Sequence, residues 1–324
     1  MISFILFILS TVQSIQIVDD YEMFKSTYGS RFHVDSVYPH EVEYSEYCII
    51  EENKSFDSSL STMKKLHFPE KLWLAMIHTV PSKLSHVINT RNTWCQQQLQ
   101  EKYGFKCIFI FVESTVNQSD KREEILRMNE TYHDIHFITM PYLREQWFTL
   151  QQKNINAYIM AKQLFPGYYF YSRVDDEIIV TVDKLSTFLL QYLDEPTVIG
   201  EIISHRPNRI PSNKYYDPLA KQFPKYFPFP AGYLSLFSND IIQYIAQWDN
   251  YYTFAPSSLE DPGFGHWIYK YAKSNKVRVR IVSPERWGGN VKDFNEDYIV
   301  YHSQRGKLNQ MQIFQQQINR GYMS

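Results

Sequence analysis

The chain is poor in cysteine and glycine, with 3 and 11 residues among 324. Three cysteines, Cys48, Cys95 and Cys107, with no CxxC pair and no Cys/His spacing, exclude a disulfide scaffold and a zinc module. Neither GxGxxG nor GxxxxGK[ST] occurs, so no glycine-rich loop is present to cradle phosphates. There is no basic block, and the net charge is −2, so nothing points to a nucleic-acid backbone. No internal repeat or low-complexity tract is found. The apolar run Ile2–Leu9 is too short to span a bilayer unless it extends through Ser10, Thr11, Gln13 and Gln16 to Val18.

What is present is a globular composition, 44% apolar and 21% charged, rich in rings, with 25 Tyr and 22 Phe. Such a chain can build a thick core and a cleft that stacks on bases and sugars. The length suits one large α/β domain or two small ones.

The segment Tyr168–Val180, YYFYSRVDDEIIV, carries the strongest chemical signal. Asp175, Asp176 and Glu177 lie between two apolar, β-branched and aromatic flanks that read as buried strands. Clustered anions at a strand end repel one another and are costly to desolvate. A divalent cation carrying a phosphorylated ligand would compensate them; a solvated turn between two strands is the plain alternative.

The segments Leu72–Val80, Lys106–Val112, Ile135–Thr139 and Arg278–Val282 read as strands. Ser82 to about Glu101, Lys121–Met128, Gln151–Phe165, Asp240–Asp249 and Gly263–Ser274 read as helices. This alternation predicts an α/β fold with a mainly parallel sheet covered by helices, whose ligands bind at the carboxyl ends of strands. Residues 206–230, rich in Pro, Lys, Tyr and Phe, read as a long loop over the site. Residues 19–68, polar and without period, read as a stem or N-terminal extension before a catalytic domain at 69–324.

Residues 1–18 read as a cleaved signal peptide, with Val12 and Ser14 fitting a cleavage site, or as a signal-anchor. Either places the body of the chain in the secretory lumen. Three glycosylation sequons, at Asn53, Asn117 and Asn129, agree. Cys95 and Cys107 are the closest cysteine pair in sequence, and a bridge between them and buried free thiols are both open.

Four pieces then line up. Arg91-Asn92-Thr93-Trp94 follows the first strand, Glu130-Thr131-Tyr132-His133-Asp134-Ile135 precedes another, Asp175-Asp176-Glu177 ends a third, and Glu260-Asp261 with Gly263 and Gly265 opens a late helix. Together they resemble the β-1,3-galactosyltransferase and β-1,3-N-acetylglucosaminyltransferase family of lumenal hexosyltransferases, over about residues 72–315. The resemblance implies the nucleotide-sugar-binding fold called GT-A. It also implies an inverting transfer of a hexose from a UDP-sugar to a glycan hydroxyl in β-1,3 linkage, with Mn²⁺, in the Golgi.

By that resemblance Asp175 and Asp176 face the ribose and the donor sugar, and Arg91 lies near the nucleotide. Glu177, in place of the family's metal-binding Asp, and His302, in Ile299-Val300-Tyr301-His302-Ser303, hold the metal; imidazole with carboxylate suits Mn²⁺. Asp261 is the base that takes the acceptor proton, with Glu260 as its neighbour or an acceptor ligand. The same two acids also suit a helix N-terminus, where Pro262 fits as well. Departures from the family cluster at the donor and acceptor loops: Phe229-Pro230-Ala231-Gly232-Tyr233 keeps one glycine, Pro262 stands where the family has Val, and Ser85 and His86 replace a double arginine. A carbohydrate-binding relative without turnover is the alternative; a two-metal phosphohydrolase would need more His and Asp ligands than the sequence supplies.

Overall fold

A computed structural model of the chain describes residues 33–34, 41–55, 66–140, 149–210, 213, 215–217, 225–247, 253–254, 259–291 and 298–303. The expected signal segment, 1–18, lies outside them. In chain order the first half holds β1 (His33–Val34), α1 (Glu41–Tyr47), β2 (Cys48–Lys54), β3 (Trp73–His78), α2 (Leu84–Asn92), α3 (Gln97–Tyr103) and β4 (Phe105–Val112). Next come α4 (Glu113–Asn117), α5 (Arg122–Tyr132), β5 (Ile135–Ile138), α6 (Leu150–Leu164), β6 (Phe170–Asp175) and β7 (Ile178–Val180). The remainder is α7 (Val182–Leu189), β8 (Thr197–Ile203), β9 (Phe229–Ser238), α8 (Asn239–Ala246), β10 (Thr253–Phe254), α9 (Glu260–Asn275), β11 (Val279–Pro284), β12 (Trp287–Val291) and β13 (Val300–Ser303).

The expected α/β architecture is observed. Eight strands form one sheet in the order β2-β11-β8-β9-β6-β3-β4-β5. Every neighbouring pair is parallel except the two that involve β9, so β9 alone runs against the rest. A parallel sheet is buried on both faces and its strands are apolar throughout; β3, WLAMIH, is buried at every position. Its pleat divides the core. Trp73, Ala75 and Ile77 join the cluster that holds Trp94, Phe109 and Phe188, while Leu74 and Met76 join the cluster that holds Tyr158, Phe237 and Trp267. Trp94 is a core residue: its ring lies parallel to Trp73 at 6.3 Å, and its Nε1–H donates to the Ile178 carbonyl at 3.0 Å.

Three differences from the sequence expectations have physical causes. The helix expected over 82–101 is broken between α2 and α3 at Thr93–Gln96, where Cys95 turns inward to bond Cys107 on β4. The segment 206–230 is not loop throughout, because Phe229 and Pro230 already pair with β8. Finally, residues 41–54 of the expected stem form α1 and β2, and β2 is the sheet's outer strand, paired in parallel with β11. It was illegible because an edge strand buries little; its exposed Ile49 and Ile50 alternate with nothing. Tertiary ties hold it: Arg280 closes a fork on Glu51, Nε and Nη2 donating at 2.8 and 2.9 Å. Among the described residues no helix is long and apolar enough to cross a membrane.

A three-stranded sheet, β12-β13-β7, flanks the large one. Because β7 follows β6 after the Asp176–Glu177 turn, β13 is brought alongside the acidic cluster, with His302 opposite Ile178. That pairing, with Asp175 in register with His78 on β3, sets the candidate site at the carboxyl end of the central strands.

Candidate active site

The residues that converge do so around a residue the sequence reading passed over. Arg173, a lone cation inside the apolar run of β6, is nearly buried. Its Nη2 lies 3.0 Å from Asp175 Oδ1 and its Nε 2.8 Å from Glu260 Oε1. One guanidinium thus joins the β6 acidic cluster to the start of α9; burial works against its charge, and the carboxylates of Asp175, Glu260 and Asp261 hold it charged. A charged residue in an otherwise buried strand demands anionic partners, and that demand was the available signal.

Asp175 still reaches solvent with a third of its side chain. Loss of surrounding water raises its carboxyl above the ordinary range, against the pull of Arg173, and Glu260 and Asp176 add to the rise. Asp176 behaves otherwise. It was expected beside the donor, yet the turn points it inward, where it is 3% exposed. Thr79 donates to Oδ2 at 2.7 Å, Lys83 to Oδ1 at 2.9 Å, and His86 Nδ1 lies 3.3 Å from Oδ1. In this structure Asp176 thus ties Thr79, Lys83 and His86 together at the rim.

Glu177 and His302 are brought together as expected of a shared function. Nε2 of His302 lies 3.2 Å from Glu177 Oε1, with the side chains 20% and 29% exposed respectively. The His302 hydrogen bond holds the Glu177 carboxyl below the ordinary range. The imidazole stacks on Tyr233, centroids 4.8 Å apart and planes 6° from parallel. Tyr233 is fixed in turn by donating its hydroxyl to Glu201 at 2.7 Å. Imidazole and carboxylate side by side, partly open, are a donor set that suits Mn²⁺. Among the described residues no group of three or more such side chains gathers at one point. The pair offers two protein donors, and an ion held here would need its other ligands from elsewhere.

At the other side of Arg173, Glu260 and Asp261 occupy the first turn of α9, where the helix N-terminus favours acids. Glu260, 6% exposed, is held by Arg173 and by Asn154 of α6, whose Nδ2 donates to Oε1. Asp261 has one oxygen fixed, since the Gly232 N–H donates to Oδ2 at 3.0 Å. Burial, with the Glu260 charge next to it, pushes the Asp261 carboxyl up well beyond the ordinary carboxylate range; Arg173 opposes the shift. A carboxylate so raised is a stronger base than an ordinary one. Both acids line a cavity of about 570 Å³ together with Leu150, Leu259 and residues 205–210.

Gly232 is the glycine this site cannot exchange. A Cβ there would overlap Asp261 Oδ1 and crowd Arg173 Nη1 at 3.0 Å. Gly232→Ala is expected to fold and to lose activity about 100-fold through misplacement of Asp261. Steady-state kinetics beside a melting curve will check it; an Ala variant with parental kcat would mean that this contact does not position the carboxylate.

Arg91 stands apart. Its Nε and Nη2 each donate at 2.9 Å to Asp134, and its guanidinium lies 3.9 Å over the Tyr132 ring. Two motifs quoted from the sequence therefore meet each other, tying α2 to the entry of β5. Arg91→Ala is expected to destabilise the fold by about 1.5–3 kcal/mol, the range for hydrogen bonds between charged groups. Denaturant titration measures that loss. Nucleotide affinity should stay at the parental value, and a large drop in it without a loss of stability would restore Arg91 to the ligand site.

A family model described as galactosyltransferase matches residues 88–276. The chain belongs to the galactosyltransferase family. The matched span runs from α2 through β6 to the end of α9, so it holds Asp175, Asp176, Glu177, Glu260 and Asp261, while His302 lies beyond it. No curated protein matches the sequence. Solved structures similar to it include a glycosyltransferase involved in the glycosylation of the major capsid of PBCV-1, at 10% identity over 76% of this chain and 99% of that one, TM-score 0.35. The mannosyltransferase Ktr4p from S. cerevisiae in complex with GDP gives 10% identity over 77% and 80%, TM-score 0.35. The 4-diphosphocytidyl-2C-methyl-D-erythritolsynthase from Anaerococcus prevotii gives 11% over 72% and 92%, TM-score 0.37. The chain is a glycosyltransferase by family.

Proposed function

We propose that this glycosyltransferase moves a hexose from a UDP-sugar to a glycan hydroxyl, in β-1,3 linkage and with inversion. The observation that carries the reading is Asp261: a half-buried, raised carboxylate with one oxygen fixed by Gly232 and the cavity beside it. The acceptor hydroxyl would give its proton to the free oxygen, Oδ1. The acceptor oxygen bonds to the anomeric carbon as the bond from that carbon to the diphosphate breaks, and the electron pair leaves with UDP. Glu260, fixed by Arg173 and Asn154, would sit beside Asp261 and support its raised basicity. Lys83, at the rim beside Asp176, would meet the diphosphate. Glu177 and His302 would hold Mn²⁺, which when bound supplies positive charge to the leaving diphosphate.

The site is read as lumenal, and in the Golgi. The Cys95–Cys107 bridge supports an oxidising compartment, and the sequon asparagines Asn53 and Asn117 are exposed. Expressed in animal cells, the protein should shift on gels after glycosidase treatment; an unshifted cytosolic product would refute the location alone. UDP release measured with Mn²⁺ across a panel of UDP-sugars, with and without glycan acceptors, tests the activity. Acceptor-dependent UDP release supports transfer. Donor uptake with no release from any sugar would make the protein a binding relative.

A further inference from the structure

Part of the wall of the cavity beside Asp261 is formed by Ile203, His205 and Phe229. Tyr226 and Phe229, both buried, make a small apolar cluster against which Ile203 packs. The His205 ring is edged by Tyr226 at 5.5 Å and by Phe229 at 5.7 Å, and the Tyr226 N–H donates to the His205 carbonyl at 3.1 Å. The wall is therefore only as well placed as the chain at 226–229.

Phe227 fixes that chain. While its neighbours pack on the wall, Phe227 joins the larger core cluster that holds Tyr44, Trp267 and Tyr269. Its ring stacks on Tyr269 of α9, centroids 5.1 Å apart and planes 23° from parallel, and on His266 at 6.2 Å. Tyr44 of α1 completes the stack, 5.0 Å from Phe227 with planes 15° apart and 6.1 Å from Tyr269. The Tyr44 hydroxyl donates to the Pro228 carbonyl at 3.5 Å, a long contact that adds little beside the rings. α9 also comes close: a Cβ on Gly265 would lie 2.9 Å from the Pro228 carbonyl oxygen. Two helices thus clamp the entry to β9. One is α9, which carries Asp261. The other is α1, which precedes the residues 88–276 that the family model matches and is tied down by β2 in register with β11. The clamp bears on the chemistry because β9 begins at Phe229, and further along it the Gly232 N–H fixes Asp261 Oδ2.

We infer that Tyr44 is a positioning residue for the acceptor: its ring, acting through Phe227, sets the wall of His205 and Phe229 against which the acceptor sugar lies. The rings of that wall suit the apolar face of a pyranose. This rests on the cavity beside Asp261 being the acceptor site. It gives a helix outside the family-matched span a hold on the acceptor that leaves the base and the metal pair untouched, and small errors in placing a reactant are costly.

The test uses the full chain as parent, Tyr44→Ala and Tyr44→Phe. Each is saturated with UDP and Mn²⁺ and titrated by calorimetry with methyl β-galactoside and methyl β-N-acetylglucosaminide. UDP affinity is measured separately, and amide hydrogen exchange reads the backbone at 226–232. Tyr44→Ala should bind the glycoside that the parent prefers about tenfold more weakly and UDP as tightly as the parent. Its exchange should quicken at 226–232 and not in β3. Tyr44→Phe keeps the ring and should match the parent in all three. Parental glycoside affinity in Tyr44→Ala, or equal losses of UDP and glycoside, overturns the inference. So does a Phe variant as weak as the Ala variant, or a parent that binds neither glycoside. A parent that binds a glycoside but transfers to none, with Tyr44→Ala weakened as expected, would remove the transferase reading and keep this one. Parental transfer with an acceptor KM unchanged in Tyr44→Ala would do the reverse.

Discussion

Asp261→Asn is expected to transfer hexose about 10² to 10⁴-fold more slowly than the parent while binding donor equally well, the usual effect of losing a general base. Asn keeps the size of the side chain and can still accept the Gly232 N–H through its carbonyl oxygen, so the geometry is preserved and the proton acceptor is lost. The parent should gain activity as pH rises through an apparent pKa above the ordinary carboxylate range, because the base must be ionised to act. Stability should move the other way. A carboxyl whose pKa is raised by folding holds its proton more tightly folded than unfolded. Stability therefore falls as pH rises from the ordinary value of 3.8 through the raised one. Asp261→Asn escapes that loss, so at neutral pH it should melt no lower than the parent. A variant that is slow and also less stable would point to a structural role; one that transfers at the parental rate would move the base to Glu260.

Glu177→Ala is expected to abolish the Mn²⁺-dependent part of UDP binding. A direct ligand should matter more than the roughly 10–100-fold typical of an outer partner. Its effect on the fold should be small. The lowered pKa of Glu177 marks a stabilising contact with His302 that is present above the ordinary carboxylate range and fades as pH falls through the lowered value. Both side chains are partly exposed, so the contact contributes at most about 1 kcal/mol. UDP titrations with Mn²⁺ and with a chelator, on parent and variant, separate the effects. His302→Ala should follow Glu177→Ala. Tyr233→Leu should weaken metal dependence less, since it removes the surface that orients the imidazole and leaves both donors. Unchanged metal-dependent affinity in Glu177→Ala sinks the assignment.

Much of the architecture was legible because parallel sheets write themselves in apolar runs. Trp73–His78 and Phe105–Val112 carry nearly no polar residue, and α6 declares itself by Ile155, Tyr158 and Ile159 and by the Pro166-Gly167 stop. β9 was obscured at its start, where Pro230, Ala231 and Gly232 mimic a turn. The acidic triplet was plain, but its division of labour was not. Thr79, Lys83 and His86 reach Asp176 from 97, 93 and 90 residues away, and no spacing rule reports which of two adjacent carboxylates turns inward. Arg173 meets Glu260 across 87 residues, a pairing that only the β6–β9 and α9 packing creates. Arg91 shows a related limit: a short motif shows that a cation is required, and only the fold shows that Asp134 is its partner.

The outer strand β2 bears on how the protein can be shortened. Cys48–Glu51 run in register with Val279–Val282, and the Arg280–Glu51 fork locks the pair. A fragment begun at residue 69, the boundary suggested by composition, would strip that cover and leave the backbone donors and acceptors of an apolar strand open along its length. Such edges recruit one another. The product would aggregate, and its silence in an assay would be mistaken for a lack of catalysis. The smallest soluble form capable of reporting on this site therefore begins no later than Glu41, ahead of α1.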